Sequence, residues 1–298
     1  TAGHHPFLFV GSGISKRYLG TEKWDELLKV FCSEFSGNDF QYNIYETAID
    51  IKDYYGMQPA IAYLLEKDYN RAVLTDTKYA DFRAKHKQNL LNNVSALKIA
   101  IAEHLSYATP VENNSELELF KKLAKRSISG IITTNYDTFL ETLFPNFFTY
   151  IGQEELLFSK ITGVGEIYKI HGSITDPQSL VLTSKDYELF EQKSAYLTAK
   201  LLTIFLEYPI IFLGYSLNDR NIRNIFSTIS DCLSQQKLDK LKDRLIFVEF
   251  SDQETISEFS MQFENDNNIK MHRIATSDFS KIYEAVLSIP SKYNPVIL

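Results

Sequence analysis

The sequence has few cysteines, no long apolar run and no excess of basic residues, and each of these absences excludes a class of protein. Cys32 and Cys232 are the only cysteines in 298 residues, too few for a disulfide framework or for a zinc site built from four cysteines. The longest apolar runs, such as Pro209–Leu213, are far shorter than the roughly 20 residues that span a bilayer. The 31 Lys and Arg residues against 38 Asp and Glu give a net charge of −7. We therefore expect a cytoplasmic protein that contacts neither a membrane nor nucleic acid.

The residues that are present have the composition of an ordinary globular protein. Apolar residues make up 44% and charged residues 23% of the chain, with 18 Tyr and 21 Phe, which excludes disorder and low complexity. The length allows one or two domains. Residue 1 is Thr rather than Met, so we expect a chain that is processed or cut from a longer one.

Short segments rich in β-branched and aromatic residues alternate with helical patterns along the chain. In the helical patterns apolar residues recur three and four positions apart, beginning at Trp24, Leu197 and Ile222. Several of the predicted strands are apolar on both faces, as in a parallel sheet covered on both sides. The pattern predicts a doubly wound, mostly parallel α/β sheet. The predicted strands are Pro6–Val10, Gly130–Thr133, Phe147–Tyr150, Ile167–Ile170, Leu180–Leu182, Pro209–Leu213, Leu245–Phe250 and Ile269–Ile274.

One long region interrupts this alternation. Residues 43–123 contain helix-like stretches but no convincing strand, and they lie between the first strand–helix unit and the rest of the predicted sheet. We therefore predict a large helical insertion over residues 43–123 within one catalytic domain of residues 1–298. Its task is left open between a lid over the cleft and a surface for self-association or regulation.

The first candidate site is a glycine loop at the end of the first strand. Gly11, Ser12, Gly13, Ile14 and Ser15 follow that strand directly and precede a helix. Glycines at this point let backbone N–H groups approach a phosphate closely. The third glycine of the dinucleotide fingerprint is missing, and a plain tight turn is the alternative.

The second candidate is the polar cluster that follows the strand Gly130–Thr133. Thr134, Asn135 and Asp137 lie where open α/β sheets bind ligands, in the crevice above the strand ends. Helix capping explains any one of these residues, but it does not explain all of them together.

The third candidate is His171, which follows the predicted strand Ile167–Ile170. Imidazole is the side chain best suited to accept a proton near neutral pH. The alternative is a structural hydrogen-bonding histidine.

The fourth candidate is the turn Gly214, Tyr215, Ser216 and Leu217, which again follows a strand and precedes a helix. In a parallel sheet all four strand ends meet at one edge. We therefore predict a site for a nucleotide-sized ligand with one histidine base.

These motifs, in this order, resemble those of the sirtuin family. Gly11–Ser15 is similar to the family's loop that holds the phosphates of NAD, and Thr134–Asp137 is similar to its Asn-x-Asp motif. His171 with Gly172 resembles the catalytic pair, and Gly214–Leu217 resembles the turn that holds the adenosine side. The resemblance implies a Rossmann-like fold that takes NAD+ as substrate, with Asn135 and His171 as catalytic residues. Gly11, Ser12, Gly13, Ile14, Ser15, Thr134, Asp137, Gly214, Tyr215, Ser216 and Leu217 then bind the dinucleotide.

The sequence departs from the protein deacylases of that family. Residues 173–213 contain no cysteine, so the deacylases' zinc module is missing and we expect neither zinc nor another metal. The bacterial branch without zinc resembles NAD-hydrolysing effectors of anti-phage defence, which deplete cellular NAD in abortive infection. That resemblance implies a homo-oligomer with a C-terminal sensor domain or a partner defence protein.

Hydrolysis of NAD+ to nicotinamide and ADP-ribose is therefore the expected activity. An NAD-dependent protein deacylase or ADP-ribosyltransferase is one alternative, and a non-catalytic sensor that binds NAD or ADP-ribose is another. The sequence leaves open the roles of Asp186, Tyr187, Asp219 and Glu249.

Overall fold

The structure, a computed structural model, describes residues 5–49, 55–111, 114–125, 127–158, 165–217 and 219–290. The two ends of the predicted domain, residues 1–4 and 291–298, lie outside the described residues. Eight strands form one sheet in this part of the chain. They are β1 (Phe7–Val10), β2 (Gly130–Thr133), β3 (Phe148–Ile151), β4 (Glu166–Lys169), β5 (Ile210–Leu213), β6 (Leu245–Phe250), β7 (Thr255–Gln262) and β8 (Asn268–Thr276).

The order of the strands is β3-β4-β2-β1-β5-β6-β8-β7. Every pair is parallel except β7 with β8. Phe7 of β1 is in register with Gly130 of β2 on one side and with Ile210 of β5 on the other. The chain therefore reverses its direction of winding at β1, and the prediction of a doubly wound, mostly parallel sheet is confirmed. Such a reversal point is where open α/β sheets bind their ligands.

Helices cover both faces of the sheet, and β1 shows why its residues are apolar throughout. Phe7 and Phe9 belong to the core on one face, whereas Leu8 and Val10 belong to the core on the other. Alternate residues of a strand point to opposite faces, so β1 is buried on both sides and has apolar residues at all four positions. The helices are α1 (Ser12–Leu19), α2 (Trp24–Ser36), α3 (Gln41–Ala48), α4 (Met57–Thr75), α5 (Ala80–Lys85), α6 (Lys87–Leu91), α7 (Ala96–Ser106), α8 (Ser115–Lys122), α9 (Phe139–Leu143), α10 (Gly152–Phe158), α11 (Ser184–Gln192), α12 (Ala195–Glu207), α13 (Arg220–Cys232), α14 (Gln235–Leu238) and α15 (Ser280–Leu287).

A third core lies among the helices between β1 and β2. It is built by α2, α3, α4 and α7, and it also buries Leu180 and Leu182. We call these four helices the helical module. The helix α8 packs instead against α15, and its Leu117 and Phe120 belong to a core of the sheet. The helical module therefore includes α2, whereas α8 packs with the elements of the sheet.

Two elements differ from the sequence prediction. The segment Leu180–Leu182 is buried but is not a strand. Its Val181 carbonyl accepts a hydrogen bond from the Tyr136 hydroxyl at 2.6 Å, and its two leucines enter the core of the module, so tertiary contacts replace sheet pairing. The strand β7 was not predicted because it is an edge strand with mostly exposed residues and lacks a buried apolar pattern.

Across the described ranges, no helix combines the length and the apolar character needed to cross a membrane.

Candidate functional site

The two predicted glycine loops touch each other at the reversal point of the sheet. The Gly13 N–H donates to the Gly214 carbonyl at 2.9 Å, and the Gly11 N–H donates to the Leu213 carbonyl at 2.8 Å. A Cβ atom on Gly13 would lie 2.8 Å from the Gly214 oxygen, and Gly214 itself has a left-handed φ of +76°. Both positions therefore require glycine, because any side chain would push the loops apart.

Ser15 joins the first loop to the polar cluster after β2. Its Oγ donates to Asp137 Oδ2 at 2.7 Å and accepts a hydrogen bond from Asn135 Nδ2 at 2.8 Å. All three side chains are buried, with exposures of 3%, 6% and 7% for Ser15, Asn135 and Asp137. The structure thus brings three of the predicted site residues into one hydrogen-bonded group, which we call the Ser15 cluster.

The backbone under the Ser15 cluster is held by buried polar contacts. Thr133 Oγ1 accepts from the Asn135 N–H at 3.0 Å and donates to the carbonyl of Val10 at 2.7 Å. The fully buried Lys169 donates to the Asp137 carbonyl and forms an ion pair with Glu141 at 2.9 Å. These contacts fix the loop before any ligand arrives, as a preorganised site requires.

Asn135 has a side-chain oxygen that is available to accept a hydrogen bond from a ligand. Its Nδ2 donates to the Gly11 carbonyl at 3.0 Å as well as to Ser15, whereas its Oδ1 is buried with no hydrogen-bond partner among the described residues. Because buried polar atoms are rarely left unpaired, such an atom requires an explanation. An amide oxygen accepts hydrogen bonds from hydroxyl groups or water, so this oxygen suits a ribose hydroxyl or a water molecule.

Tyr215 links the second glycine loop to Thr134 and to the end of β1. Its hydroxyl lies 2.9 Å from Thr134 Oγ1 and donates to the Val10 carbonyl at 3.1 Å. Burial raises the pKa of Tyr215 well above its usual value, so the phenol stays protonated as a donor. Of the other residues in this turn, Ser216 is exposed and Leu217 packs against a core of the sheet.

His171 is buried in an aromatic surrounding next to β4. Its side chain contacts the rings of Tyr187 and Phe190 edge-on, with centroids 5.5 Å and 5.2 Å away. Burial lowers the pKa of His171 to about 4. The imidazole is therefore neutral at pH 7 and has a nitrogen that accepts a proton.

Two cavities flank these residues. The loop cavity has a volume of about 880 Å³ and is lined by both glycine loops, with Asp219 and Glu249 on its wall. The histidine cavity has a volume of about 460 Å³ and lies between α11, α12 and α13, with His171 on its wall. The structure therefore does not place His171 in the hydrogen-bonded group of Asn135.

A stacked aromatic pair connects the two cavities. Trp24 lines the loop cavity and Tyr187 lines the histidine cavity. Their rings are stacked with centroids 6.0 Å apart and planes at 27°. The sequence left the role of Tyr187 open, and the structure places it between His171 and Trp24.

The cations nearest the first loop already have acidic partners. Lys16 forms an ion pair with Glu26 at 2.8 Å, and Arg17 forms one with Glu116 at 2.6 Å. The N–H groups of Gly11, Gly13 and Ile14 already donate to backbone carbonyls. An anion in the loop cavity therefore has to use the remaining N–H groups at the start of α1 and the other cations on the cavity wall, Lys23 and Arg220.

No group of three or more His, Cys, Asp and Glu side chains in the described part of the chain has the arrangement of a metal site.

Comparison with known protein families finds a similarity over part of the chain. Residues 129–272 match the family model of the SIR2-like domain, and this range contains β2 to β7 and most of β8. This part of the chain is therefore similar to the SIR2-like domain, and the resemblance to sirtuins that the motifs indicate is confirmed.

Particular curated proteins are similar to the chain. The NAD(+) hydrolase ThsA of Enterococcus faecium is 28% identical over 198 residues, which cover 60% of this chain and 41% of that protein. The NAD(+) hydrolase ThsA of Acinetobacter baumannii (strain 532279) is 24% identical over 226 residues, covering 74% of this chain and 38% of that protein. The Defense-associated sirtuin 2 of Bacillus subtilis is 27% identical over 114 residues, which cover 36% of this chain and 11% of that protein. The chain thus spans well under half the length of these relatives.

Proposed function

We propose that the chain hydrolyses NAD+ to nicotinamide and ADP-ribose. The bond between the nicotinamide nitrogen and the ribose carbon breaks, and nicotinamide leaves with the bonding electrons. Water then adds to the ribose carbon and loses a proton. The SIR2-like domain supports this class of chemistry, and the names of two relatives, both NAD(+) hydrolases, support the substrate.

The observation that carries the proposal is the unpartnered Oδ1 of Asn135. This oxygen is buried at the reversal point of the sheet, beside the loop that begins at Gly11, and has no hydrogen-bond partner among the described residues. We propose that it accepts a hydrogen bond from a ribose hydroxyl or from the attacking water. Because Ser15 and Gly11 hold the amide nitrogen, the oxygen is oriented before the substrate binds, and this lowers the cost of reaching the transition state.

His171 is proposed as the base of the reaction. Its imidazole is neutral at pH 7 and lines the histidine cavity, so a ring nitrogen can take the proton of the attacking water or of a ribose hydroxyl. One ring of the Trp24–Tyr187 stack lines each cavity. A dinucleotide that reaches from the loop cavity to His171 therefore contacts this pair.

The remaining predicted residues are proposed to hold the dinucleotide. Gly11–Ser15 would bind the pyrophosphate, and Gly214–Leu217 would hold the adenosine ribose. Thr134 and Asp137 would orient the nicotinamide end. The distance of 2.9 Å between the Gly13 nitrogen and the Gly214 oxygen supports a common binding surface for both loops.

The biological role is proposed from the relatives. The name Defense-associated sirtuin 2 belongs to one of them, and we propose that this chain acts in the cytoplasm as an anti-phage effector that depletes NAD in abortive infection. We further propose that it works as a homo-oligomer with a C-terminal sensor domain or a partner defence protein.

The test is to incubate the purified chain with NAD+ alone and to measure nicotinamide and ADP-ribose by chromatography, at several protein concentrations so that self-association can occur. We expect both products in equal amounts. A parallel sample contains an acetyl-lysine peptide. If nicotinamide forms only in that sample, the chain is a deacylase or a transferase and the proposal is wrong.

A further inference from the structure

The helical module reaches the surroundings of His171 through one buried lysine. Lys98 lies on α7 and is 6% exposed. Its Nζ donates to the Leu180 carbonyl at 2.7 Å and forms an ion pair with Asp186 Oδ1 at 2.6 Å. One side chain of the module thus holds two points of the segment that follows His171 in the chain.

Asp186 uses its second oxygen to fix the start of α11. Oδ2 accepts from the Thr183 N–H at 2.8 Å and from the Leu182 N–H at 3.1 Å. In return, Thr183 Oγ1 accepts from the Asp186 N–H at 3.2 Å. This reciprocal capping box sets where the helix begins and in which direction it runs.

The first turns of α11 carry the rings that surround His171. Tyr187 follows Asp186 directly, and Phe190 lies one turn further along. Both rings contact the imidazole edge-on. The Val181 N–H also donates to the His171 carbonyl at 3.0 Å. The segment held by Lys98 therefore contacts the histidine at its backbone and at its ring.

The geometry and the local charges make Asp186 the charged partner of Lys98. Glu66 is another acid close to both side chains, and burial raises the pKa of its carboxyl. A buried lysine is costly unless it is paired and hydrogen-bonded. Lys98 is paired by Asp186 and hydrogen-bonded by the Leu180 carbonyl. Both contacts form only when the segment from Leu180 to Asp186 lies against α7.

We propose that Lys98 is a positioning residue for His171, and that the helical module acts through it on the catalytic histidine. The path runs from Lys98 to Asp186, then through the capped start of α11 to Tyr187 and the imidazole. Only the kinetic part of the test rests on the proposed NAD+ hydrolysis.

The test compares Lys98→Met and Asp186→Asn with the unchanged chain. We expect kcat for NAD+ to fall about tenfold or more with KM within about twofold, because a small misplacement of a catalytic group is costly while the glycine loops are untouched. Lys98→Arg keeps the charge and should recover part of kcat. Trp24 is the only tryptophan and stacks on Tyr187, so its fluorescence emission should shift in the first two variants.

The matched control is Lys85→Met. Lys85 lies within the predicted insertion and pairs with Glu103, but its side chain is 57% exposed. We expect wild-type kcat and Trp24 emission from this variant. If Lys98→Met and Asp186→Asn lower the melting temperature but leave kcat and emission unchanged, the pair only stabilises the fold and the proposal is overturned.

Two readouts test the positioning role even if the proposed function is wrong. If the unchanged chain does not hydrolyse NAD+, then Trp24 emission and the NMR shifts of the His171 imidazole still decide the positioning role. Unchanged shifts and emission in both variants would overturn it, whereas a change in both, absent in Lys85→Met, would support it.

Discussion

Ser15 is the residue that joins the two polar motifs of the site. Its hydroxyl bridges Asn135 and Asp137, which lie 120 and 122 positions further along the chain. Removing it leaves the Asp137 carboxylate and the Asn135 amide each without one buried hydrogen bond. The cost of such a loss is about 1–3 kcal/mol when a buried group is left unsatisfied.

We therefore expect Ser15→Ala to lower kcat for NAD+ beyond what its loss of folding stability explains. The amide of Asn135 loses half of its support, so its free oxygen is no longer held in one orientation. The kinetics of NAD+ turnover and the melting temperature measure the two effects. Ser33→Ala is a matched control, because Ser33 donates to Asp39 at 2.6 Å on the exposed surface. Equal activity of the two variants would contradict the bridging role.

His171 also gives stability a dependence on pH. Burial lowers its pKa to about 4 in the folded protein, against 6.5 for a histidine exposed to water, so between these values the unfolded chain binds the extra proton. The stability that neutral, buried His171 contributes to the fold is fully present above about pH 6.5 and is lost as the pH falls towards 4. Its full size is about 3 kcal/mol, at 1.36 kcal/mol for each pKa unit.

The corresponding prediction compares urea unfolding of the unchanged chain and of His171→Gln between pH 4 and pH 7. Glutamine does not titrate, so the variant should lose less stability on acidification. Burial also lowers the pKa of His5, but His5 is present in both proteins and its effect cancels in the difference. Parallel curves for the two proteins would show that His171 is not buried in its neutral form.

At the scale of elements, the contact between the two glycine loops sets the shape of the binding surface. A methyl group on Gly13 would meet the backbone oxygen of Gly214 at 2.8 Å. Backbone atoms cannot rotate away as the end of a side chain can, so the loops would have to separate.

We expect Gly13→Ala to weaken binding of ADP-ribose at least tenfold, measured by calorimetry, because the first loop would shift away from the phosphate that we propose it holds. Gly37→Ala tests the effect of a glycine change elsewhere, since Gly37 ends α2 in open space. It should cost stability through its positive φ without changing affinity. Unchanged affinity in Gly13→Ala would contradict the proposed phosphate site.

The sequence predicts those elements that have a local pattern of apolar residues. Strands such as β1 and β5 are apolar at every position, and that pattern is typical of central parallel strands. The segment Leu180–Leu182 has the same pattern, but its partners are the distant helical module and Tyr136. The prediction of a strand there was wrong because periodicity does not show which tertiary contact buries an apolar run.

The same distinction applies to the site. The motifs at Gly11–Ser15, Asn135 and His171 stand out because polar or glycine residues follow apolar strands. The path from Lys98 to Tyr187 was not predicted. The helix α7 is buried on nearly all sides, but its sequence does not show that Lys98 pairs with an acid 88 positions further along the chain. The placement of His171 outside the Ser15 cluster also depends on three-dimensional packing.

At the scale of the whole molecule, the net charge of −7 works against an anionic ligand. The loop cavity has to offset this repulsion locally, through the cations on its wall and the positive N-terminal end of α1. A ligand that uses these groups binds only the folded chain, so it should stabilise the fold by mass action.

We expect ADP-ribose at about 100 times its Kd to stabilise the chain by about 2.7 kcal/mol. For a chain of this size that corresponds to a rise in melting temperature of roughly 2–5 °C, which differential scanning fluorimetry can measure. Ribose 5-phosphate lacks the pyrophosphate and the adenosine and should have a much smaller effect. Equal shifts with both ligands would argue against a dinucleotide site across the two loops.

The central claim is that the buried oxygen of Asn135 takes part in breaking and hydrolysing NAD+. The most direct measurement is the rate of ADP-ribose formation from NAD+ alone by the unchanged chain and by Asn135→Ala, with Asn92→Ala as an exposed control. We predict steady turnover by the unchanged chain and by the control, and a rate about 10²–10³-fold lower for Asn135→Ala, as for loss of a preorganised polar group. Equal rates for Asn135→Ala and the unchanged chain would contradict the account.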